Sequence, residues 1–377
     1  MNTPSQSQVR RSIAEAQTIV VKVGSSSLTK PSGHLDPERL DALAAAIARI
    51  RLMGGRVVLV SSGAIAAGFG SLGFDSRPTD IADQQACAAV GQGLLMARYE
   101  SAFAKYGLRV GQILLTVSDT VSPQQYRNVR RTLDRLLDLG AVPILNENDS
   151  LASNEIRFGD NDRLSALVAN IVVADALVLL TDVDALYTAP PSEPGSRRIA
   201  YVPNVEKALE QVQVGGTGSN VGTGGMVTKM EAARVAAVSG IPAVLTCAAN
   251  AGPAMMGDPV GTVFAPIHDR GSSRRLWIGF ASHPQGVLVA DAGAAKAICA
   301  GSASLLAAGV LEARGDFAAG DAVWVDDEQG RHLAKGLVGF DSEEIPQMLG
   351  RNTAQLRRFL GEEYAHPLVH RDNLVLV

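Results

Sequence analysis

The chain has 377 residues, of which 46% are hydrophobic and 19% are charged, and its formal net charge at pH 7 is −4. This length predicts two or three domains, and the composition excludes a disordered acidic or basic chain. The small negative charge also excludes a global positive field that would recruit nucleic acid or an anionic membrane, so an anionic substrate has to be met by local cations.

The N-terminal sequence and the cysteines predict a cytoplasmic protein. Residues 1–8 are polar and lack the apolar core of a secretory signal, and no stretch of about 18 uninterrupted apolar residues occurs. The three cysteines, Cys87, Cys247 and Cys299, are far apart and form no CxxC motif. We therefore predict that they are small apolar core residues of a protein in a reducing compartment.

Short β-branched runs alternate with longer helical patterns over roughly the first 265 residues. The predicted strands are 18–23, 56–60, 112–116, 141–145, 176–181 and 243–246. The predicted helices are 36–53, 79–106 and 123–140. This alternation predicts an α/β fold with a mostly parallel sheet sandwiched by helices.

The composition changes in the last third of the chain. Short strands punctuated by glycine and aspartate, such as 286–289 and 321–325, flank a short helix at 293–300 and predict a small β-rich module. The predicted organisation is a flexible N-terminal segment at 1–16, a first domain at 17–268, a connection at 269–283, and a β-rich domain with a C-terminal tail at 284–377.

The first two predicted strands end in small polar loops, where ligands of open α/β sheets collect. Lys22 precedes the run Gly24-Ser25-Ser26-Ser27, whose backbone N–H groups are predicted to form an anion nest. A fixed cation beside such a nest suits phosphate, although a solvated charge at a strand end is the alternative for Lys22. The second strand ends in Ser61-Ser62-Gly63-Ala64, which is either a second part of this site or a plain serine turn.

Two acidic and amide-rich clusters follow later strands. They are Asn146-Glu147-Asn148-Asp149 and Gly159-Asp160-Asn161-Asp162. Such side chains suit an ammonium group, a metal ion, or both, and the alternative is that they are ordinary turn and helix N-cap residues. Their spacing does not match an EF-hand calcium loop.

A third group of candidate residues lies in the second half of the first domain. The strand at 176–181 ends in Thr181 and is followed by Asp182, and a glycine-rich segment at 215–225 opens a helix at Met226. Glycine-rich backbone that leads into a helix N-terminus is an anion site, and Lys229 lies one turn inside that helix. The alternative is a glycine loop without a ligand.

Several common catalytic motifs are absent from the sequence. The glycine-rich segment lacks Walker A spacing, and no GxGxxG follows the first predicted strand. The six histidines are scattered and fall in none of the candidate loops. These observations argue against a P-loop enzyme, a dinucleotide-binding domain, a metal hydrolase and a Ser-His-Asp enzyme.

Taken together and in this order, the loops resemble those of the amino acid kinase family, most closely its members that phosphorylate glutamate. The segments that carry the resemblance are 20–25, 60–68, 144–149, 158–167, 180–182 and 222–229. The two clusters around Asn146 and Asp160 are the most specific part, because family members that act on acetylglutamate, aspartate, uridylate or carbamate carry different sequences there. The C-terminal module resembles a PUA domain.

The resemblance implies that the chain transfers a phosphoryl group from ATP to the side-chain carboxylate of L-glutamate. The product would be L-glutamyl 5-phosphate, in the first step of proline biosynthesis. Because a glutamate side chain has an ordinary pKa of about 4.3, it is already an ionised nucleophile at neutral pH and needs no general base.

The resemblance also implies a role for each candidate residue. Ser62, Asp149 and Asn161 would bind glutamate, with Asp149 meeting its ammonium group. Lys22 and Lys229 would stabilise charge on the γ-phosphate together with Mg²⁺ that bridges phosphate oxygens, and no protein ligand of that ion is predicted. Asp162 would hold both lysines in place. The implied ATP-binding residues are Lys22, Gly24, Ser25, Thr181, Asp182, Thr223, Gly224, Gly225, Met226 and Lys229.

The family further implies a homo-oligomer, either a dimer or a tetramer, with proline as a feedback inhibitor. Two alternatives stay open: a related kinase with another acidic substrate, and an RNA-binding protein that acts through its PUA-like module. Residues 285–361 carry 10 acidic against 7 basic side chains, a net of −3, which disfavours RNA because phosphate-driven binding needs a basic face.

Overall fold

The computed structural model describes residues 3–30, 32–116, 123–150, 161–189, 192–214, 224–267, 284–301, 303–319 and 321–377. These residues form two compact units, the first built from most of 3–267 and the second from 284–377, and each has its own buried apolar core. The predicted connection at 269–283 lies outside the described residues.

The first unit is built on a mostly parallel sheet, as the alternating pattern predicted. Its strands are β1 (Thr18–Val23), β2 (Arg56–Ser61), β3 (Val110–Leu115), β4 (Val142–Glu147), β5 (Ala176–Thr181), β8 (Tyr201–Val202), β9 (Ala243–Cys247) and β10 (Thr262–Phe264). Among the described residues the strand order is β3-β4-β2-β1-β5-β9-β10-β8, and only β10 pairs antiparallel, with β9. A separate pair, β6 (Leu186–Tyr187) with β7 (Arg198–Ile199), lies apart from this sheet.

Helices accompany the strands and supply the rest of the core. They are α1 (Gln6–Ala14), α2 (Ser25–Leu28), α3 (Pro37–Leu52), α4 (Ala64–Gly68), α5 (Ile81–Ala104), α6 (Pro123–Asp138), α7 (Asn161–Ile171), α8 (Val205–Val214), α9 (Gly224–Val238) and α10 (Ala251–Met255). Asp36 caps α3 and Asp80 caps α5, each by accepting a bond from a first-turn backbone N–H. The strands β1, β4 and β5 are buried along their whole length, as expected for β-branched strands covered on both faces.

The prediction of a flexible N-terminal segment at 1–16 is wrong for residues 6–14, which form α1. The helix begins with a capping box in which Ser5 and Gln8 satisfy each other's backbone N–H groups, and Val9 and Ile13 are buried on its inner side. The buried guanidinium of Arg10 donates to the backbone carbonyls of 258, 260 and 261. The Ser5-to-Gln8 spacing was the available sequence signal for this helix.

The second unit is β-rich, as predicted. Its strands are β11 (Gly286–Ala290), β12 (Val310–Gly315), β13 (Ala322–Asp326), β14 (His332–Val338) and β15 (Val369–Leu376), and its helices are α11 (Ala292–Cys299) and α12 (Thr353–Phe359). The strand order is β12-β11-β13-β14-β15, with β11 and β13 parallel and the other neighbours antiparallel. The sequence patterns identified β11, β13 and α11 but did not single out β12, β14, β15 or α12. Cys299 at the end of α11 is exposed, so the prediction that it is a core residue is wrong, whereas Cys87 is buried.

Across the part of the chain that the structure describes, no helix combines the length and the apolar composition needed to cross a membrane.

The anchoring of α1 gives a stability prediction. Arg10→Ala removes three hydrogen bonds from a buried guanidinium to backbone carbonyls, of which those of 258 and 261 keep a second donor, so it should lower the free energy of unfolding by about 1–3 kcal/mol. The matched control is Arg11→Ala, because Arg11 is exposed on the same helix. Chemical denaturation of both variants checks this, and equal stability of the two would contradict the anchoring role of Arg10.

Candidate active site

The carboxyl ends of the central parallel strands meet at one edge of the sheet. The register pairs Val23 of β1 with Ser61 of β2 on one side and with Leu180 of β5 on the other. The backbone N–H of Gly24 donates to the carbonyl of Leu180 at 3.2 Å, and that of Ser62 donates to the carbonyl of Val23 at 3.1 Å. These bonds bring the loops after β1, β2 and β5 to a common edge, where ligands of open α/β sheets bind.

Gly63 allows the sharp turn that follows β2. Its φ of 109° lies in the left-handed region, which a residue with a Cβ adopts only with strain. The chain therefore leaves β2 and enters α4 within three residues, and Ser62 stays at the sheet edge.

A buried ion cluster lies beneath these loops. Lys22 and Asp162 are 1% and 0% exposed, and the Lys22 Nζ lies 2.5 Å from the Asp162 Oδ1. Lys229, which is 9% exposed, places its Nζ 3.1 Å from the Asp162 Oδ2. One carboxylate thus pairs with two ammonium groups, which is the arrangement that the sequence analysis assigned to Asp162.

Further hydrogen bonds fix this cluster. The Thr228 hydroxyl donates to the Asp162 Oδ2 at 3.1 Å, and the Lys229 Nζ donates to the carbonyl of Gly225 at 2.9 Å. Ser165 donates to the backbone carbonyl of Asp162 at 2.6 Å. The cluster therefore ties β1, α7 and α9 together, and both ammonium groups are held in one orientation.

A neutral polar network lies beside the ion cluster. The Asn161 Nδ2 is 2.9 Å from both the Ser62 Oγ and the Asn146 Oδ1, and Asn146 in turn donates to the Gln92 Oε1 at 2.9 Å. The Asn161 Oδ1 is buried and has no hydrogen-bond partner among the described residues. Because a buried acceptor without a partner is costly, this oxygen is a candidate acceptor for a ligand.

Tyr99 supports this network from the core. Its hydroxyl lies 2.8 Å from the Ser61 Oγ, next to Ser62. Burial raises the pKa of Tyr99, so the hydroxyl keeps its proton at neutral pH and remains a hydrogen-bonding group.

Two cavities open at the sheet edge, and they share Ser25 and Ser62. The first has a volume of about 290 Å³ and includes Glu147, Asp149, Asn161 and Arg77 in its lining. The second has a volume of about 310 Å³ and is lined by Lys22, Gly24, Ser25, Ser26, Ser62, Thr181, Asp182, Val183, Gly225, Met226 and Lys229. Among the described residues, the first cavity therefore has two carboxylates, a guanidinium and an amide, and the second has two ammonium groups and one carboxylate.

The predicted site residues fall into these two cavities with few exceptions. The three predicted substrate residues, Ser62, Asp149 and Asn161, all line the first cavity. Of the predicted ATP residues, Gly224 begins α9, and Thr223 lies outside the described residues. Asp162 lies below both cavities and lines neither.

Sequence reasoning gave no individual role to several residues of this site, among them Arg77 in the lining of the first cavity. Thr228 and Gln92 complete the two networks, and the Gly-Gln-Gly context of Gln92 gave no signal for this role. Asn146 and Glu147 were part of a recognised cluster, but no individual role was assigned to either. The described residues contain no group of three or more His, Cys, Asp or Glu side chains positioned to hold a metal ion.

Comparison with protein families gives two matches. Residues 17–247 match the amino acid kinase family, and residues 286–360 match the PUA domain. The first match covers more than half of the chain.

Curated relatives resemble the chain over its whole length. It is 90% identical to a glutamate 5-kinase of Bifidobacterium adolescentis, with all of both chains covered. It is 54% identical to a glutamate 5-kinase of Streptomyces avermitilis, covering 98% of this chain and 99% of the relative. Among solved structures, the carbamate kinase from Giardia lamblia bound to AMP-PNP aligns with a TM-score of 0.50 at 18% identity, over 67% of this chain and 99% of that one. At that identity the last comparison supports the fold alone.

The buried ion cluster predicts a strong dependence of stability on Asp162. Asp162→Ala leaves two buried ammonium groups without their shared counter-ion, and it should lower the free energy of unfolding by about 3–5 kcal/mol. Asp41→Ala is the control, because its ion pair with Lys105 is exposed and should contribute about 1 kcal/mol or less. Urea denaturation measures both, and similar losses in the two variants would show that the cluster contributes no more than a surface ion pair.

Proposed function

The chain belongs to the amino acid kinase family, among its glutamate 5-kinases, and from this membership we infer that it transfers the γ-phosphoryl group of ATP to the side-chain carboxylate of L-glutamate. The product is L-glutamyl 5-phosphate, the first intermediate of proline biosynthesis. The observation that carries the assignment of the site is the junction of the two cavities at Ser25 and Ser62. A junction of this kind lets an acceptor in one cavity face a phosphate in the other.

The first cavity suits glutamate. The carboxylates of Asp149 and Glu147 provide negative charge for the substrate ammonium group, and the free Oδ1 of Asn161 provides a further acceptor. With the ammonium group held there, the side-chain carboxylate reaches towards Ser62 and the junction. This carboxylate is ionised at neutral pH, so the attack requires positioning and no proton removal.

The second cavity suits the phosphates of ATP. Lys22 and Lys229 supply two positive charges against the single negative charge of Asp162, so the buried ion cluster has a net positive charge that suits an anion, and the carboxylate of Asp182 in the same lining suits a cation that accompanies it. Ser25 and Ser26, in the first turn of α2, line the same cavity and add backbone N–H groups there. Because the two lysines are fixed before the reaction, they stabilise charge on the transferred phosphoryl group with little reorganisation.

Magnesium fits this cavity as an ion that arrives with ATP. Asp182 is the acidic side chain in its lining, and magnesium in kinase sites is held through one or two carboxylates together with substrate phosphates. Asp162 is already occupied by two lysines, so Asp182 is our candidate for the protein ligand. Such an ion would neutralise charge on the phosphate oxygens.

We place the reaction in the cytoplasm, where ATP is available, and propose that the chain works as a dimer or tetramer. Val90 and Leu94 are exposed at neighbouring positions on α5, and Leu114 is exposed on β3, the edge strand of the sheet. Apolar side chains of this kind favour contact with a second copy.

Proline carries the same α-ammonium and α-carboxylate groups as glutamate, so we propose that it inhibits from the first cavity.

The acceptor specificity tests the proposed function. Purified protein should release ADP with L-glutamate, and hydroxylamine should trap the acyl phosphate product as a hydroxamate. N-acetylglutamate should be inactive because it lacks the ammonium charge for Asp149 and Glu147, and aspartate because its shorter side chain does not reach the junction. Hydroxamate formation from either analogue at the rate seen with glutamate would instead identify a kinase of another acid.

The roles of the two lysines give a second test. Lys22→Ala and Lys229→Ala should each lower kcat by about 10²–10³-fold, because each removes charge stabilisation that is strongest in the transition state. Lys105→Ala is the control, since Lys105 is exposed and pairs with Asp41 away from the cavities. Steady-state kinetics with circular dichroism as a check of folding measures this. A folded variant of either lysine with kcat within tenfold of wild type would contradict that lysine's role.

A further inference from the structure

Arg77 is a positively charged side chain in the lining of the 290 Å³ cavity, which we call the substrate cavity. Among the residues that the structure describes, the other charged side chains in that lining are the carboxylates of Glu147 and Asp149. Arg77 is exposed, and it makes no hydrogen bond or ion pair with another described residue. Its guanidinium is therefore available to an anion that enters the cavity.

The backbone on both sides of Arg77 is held in place. Phe74 packs against the small apolar cluster of Ile65, Phe69, Cys87 and Ala88, and its backbone N–H donates to the carbonyl of Phe69 at 3.1 Å. On the other side, Gln84 donates to the carbonyl of Pro78 at 3.0 Å. Proline at 78 also disfavours a helical conformation at residue 77. The segment that carries Arg77 is thus anchored beside the cavity even though its side chain is exposed.

The charges of glutamate leave one group without an assigned partner. The proposed function assigns the ammonium group to Asp149 and Glu147 and the side-chain carboxylate to the junction near Ser62. The α-carboxylate remains, and Lys22 and Lys229 do not serve it, because both line the other cavity and pair with Asp162. A guanidinium is well suited to this group because its planar fork binds a carboxylate through two parallel hydrogen bonds.

We propose that Arg77 binds the α-carboxylate of glutamate and thereby makes the enzyme select an α-amino acid over a simple ω-carboxylic acid. This inference rests on the proposed function and adds a specificity residue to it. With Arg77 on the α-carboxylate and Asp149 on the ammonium group, the Cα of the substrate is held at two points. Its side-chain carboxylate is then directed towards Ser62 and the phosphate.

Two substrate analogues separate the two contacts. 4-Aminobutanoate keeps the ammonium group and the reacting carboxylate of glutamate but lacks the α-carboxylate, and glutarate lacks the ammonium group. Arg77→Ala should lower kcat/KM for glutamate by about 10- to 100-fold, mainly through KM, and leave kcat/KM for 4-aminobutanoate within about threefold. Arg77→Lys should retain part of the preference for glutamate, because it keeps the charge and loses the bidentate geometry.

Asp149→Asn provides the reciprocal comparison. It should reduce the preference for glutamate over glutarate and leave the preference for glutamate over 4-aminobutanoate largely intact. Arg49→Ala is the matched control for a lost surface arginine, since Arg49 is exposed on α3 and lines neither cavity, and it should leave all three values unchanged. The proposal is overturned if Arg77→Ala leaves glutamate kinetics unchanged, or lowers kcat/KM for glutamate and 4-aminobutanoate by the same factor.

Calorimetric titration of glutamate without ATP separates this inference from the proposed reaction. Wild-type protein should bind glutamate, and Arg77→Ala should bind it about 10- to 100-fold more weakly. If wild-type protein binds glutamate but forms no acyl phosphate, the proposed function fails while the comparison of affinities still decides the role of Arg77. Equal affinity of the two proteins for glutamate would rule out the contact.

Discussion

One buried carboxylate, Asp162, neutralises part of the charge of two buried ammonium groups, Lys22 and Lys229. Burying charged groups is expensive, and the fold tolerates these three because each has a partner at short distance. The charges of the cluster do not cancel, because two positive charges face one negative charge. In the proposed function, the phosphates of ATP bind beside this cluster and complete its charge balance. Under that proposal, stability and transition-state stabilisation depend on the same three side chains.

The sheet places this cluster between two cavities of different electrostatic character. In one lining the carboxylates of Asp149 and Glu147 outnumber the guanidinium of Arg77, and in the other the two lysines outnumber Asp182. Ser25 and Ser62 line both cavities. An amino acid with a reactive carboxylate suits this arrangement, because its ammonium group is attracted to one side and its nucleophile to the other. The left-handed turn at Gly63 is what allows Ser62 to stay at this point.

Much of this was predictable from the sequence because the relevant signals are local. Buried β-branched runs identified the central strands. The polar residues near the ends of these strands and in the segments that follow them included the candidates Lys22, Ser62, Asp149 and Asn161. The joint pairing of Lys22 and Lys229 with Asp162 followed from resemblance to a family, because no spacing along the chain indicates that three residues from 22 to 229 meet. The role of Gln92 beneath Asn146 was missed for the same reason, since it depends on packing of a helix against a strand.

The N-terminal helix shows a different kind of failure. Residues 1–16 were predicted to be flexible, but two apolar residues on one side of α1 and one arginine are enough to anchor residues 6–14. In the second unit, β14 and β15 were not singled out because glycine and charged residues interrupt their apolar patterns. Their antiparallel pairing stabilises them as strands where the β-propensity of the individual residues is low.

The central claim is that glutamate and ATP occupy adjacent cavities and meet beside Lys22. The most direct measurement is a crystal structure of the protein with glutamate, Mg²⁺ and the non-hydrolysable analogue AMP-PNP bound together. The account predicts that the side-chain carboxylate of glutamate lies near Ser62, about 3–3.5 Å from the γ-phosphorus, with Lys22 and Lys229 both within hydrogen-bonding distance of the γ-phosphate. Glutamate bound outside the cavity of Asp149 and Asn161, or a γ-phosphate that contacts neither lysine, would contradict it.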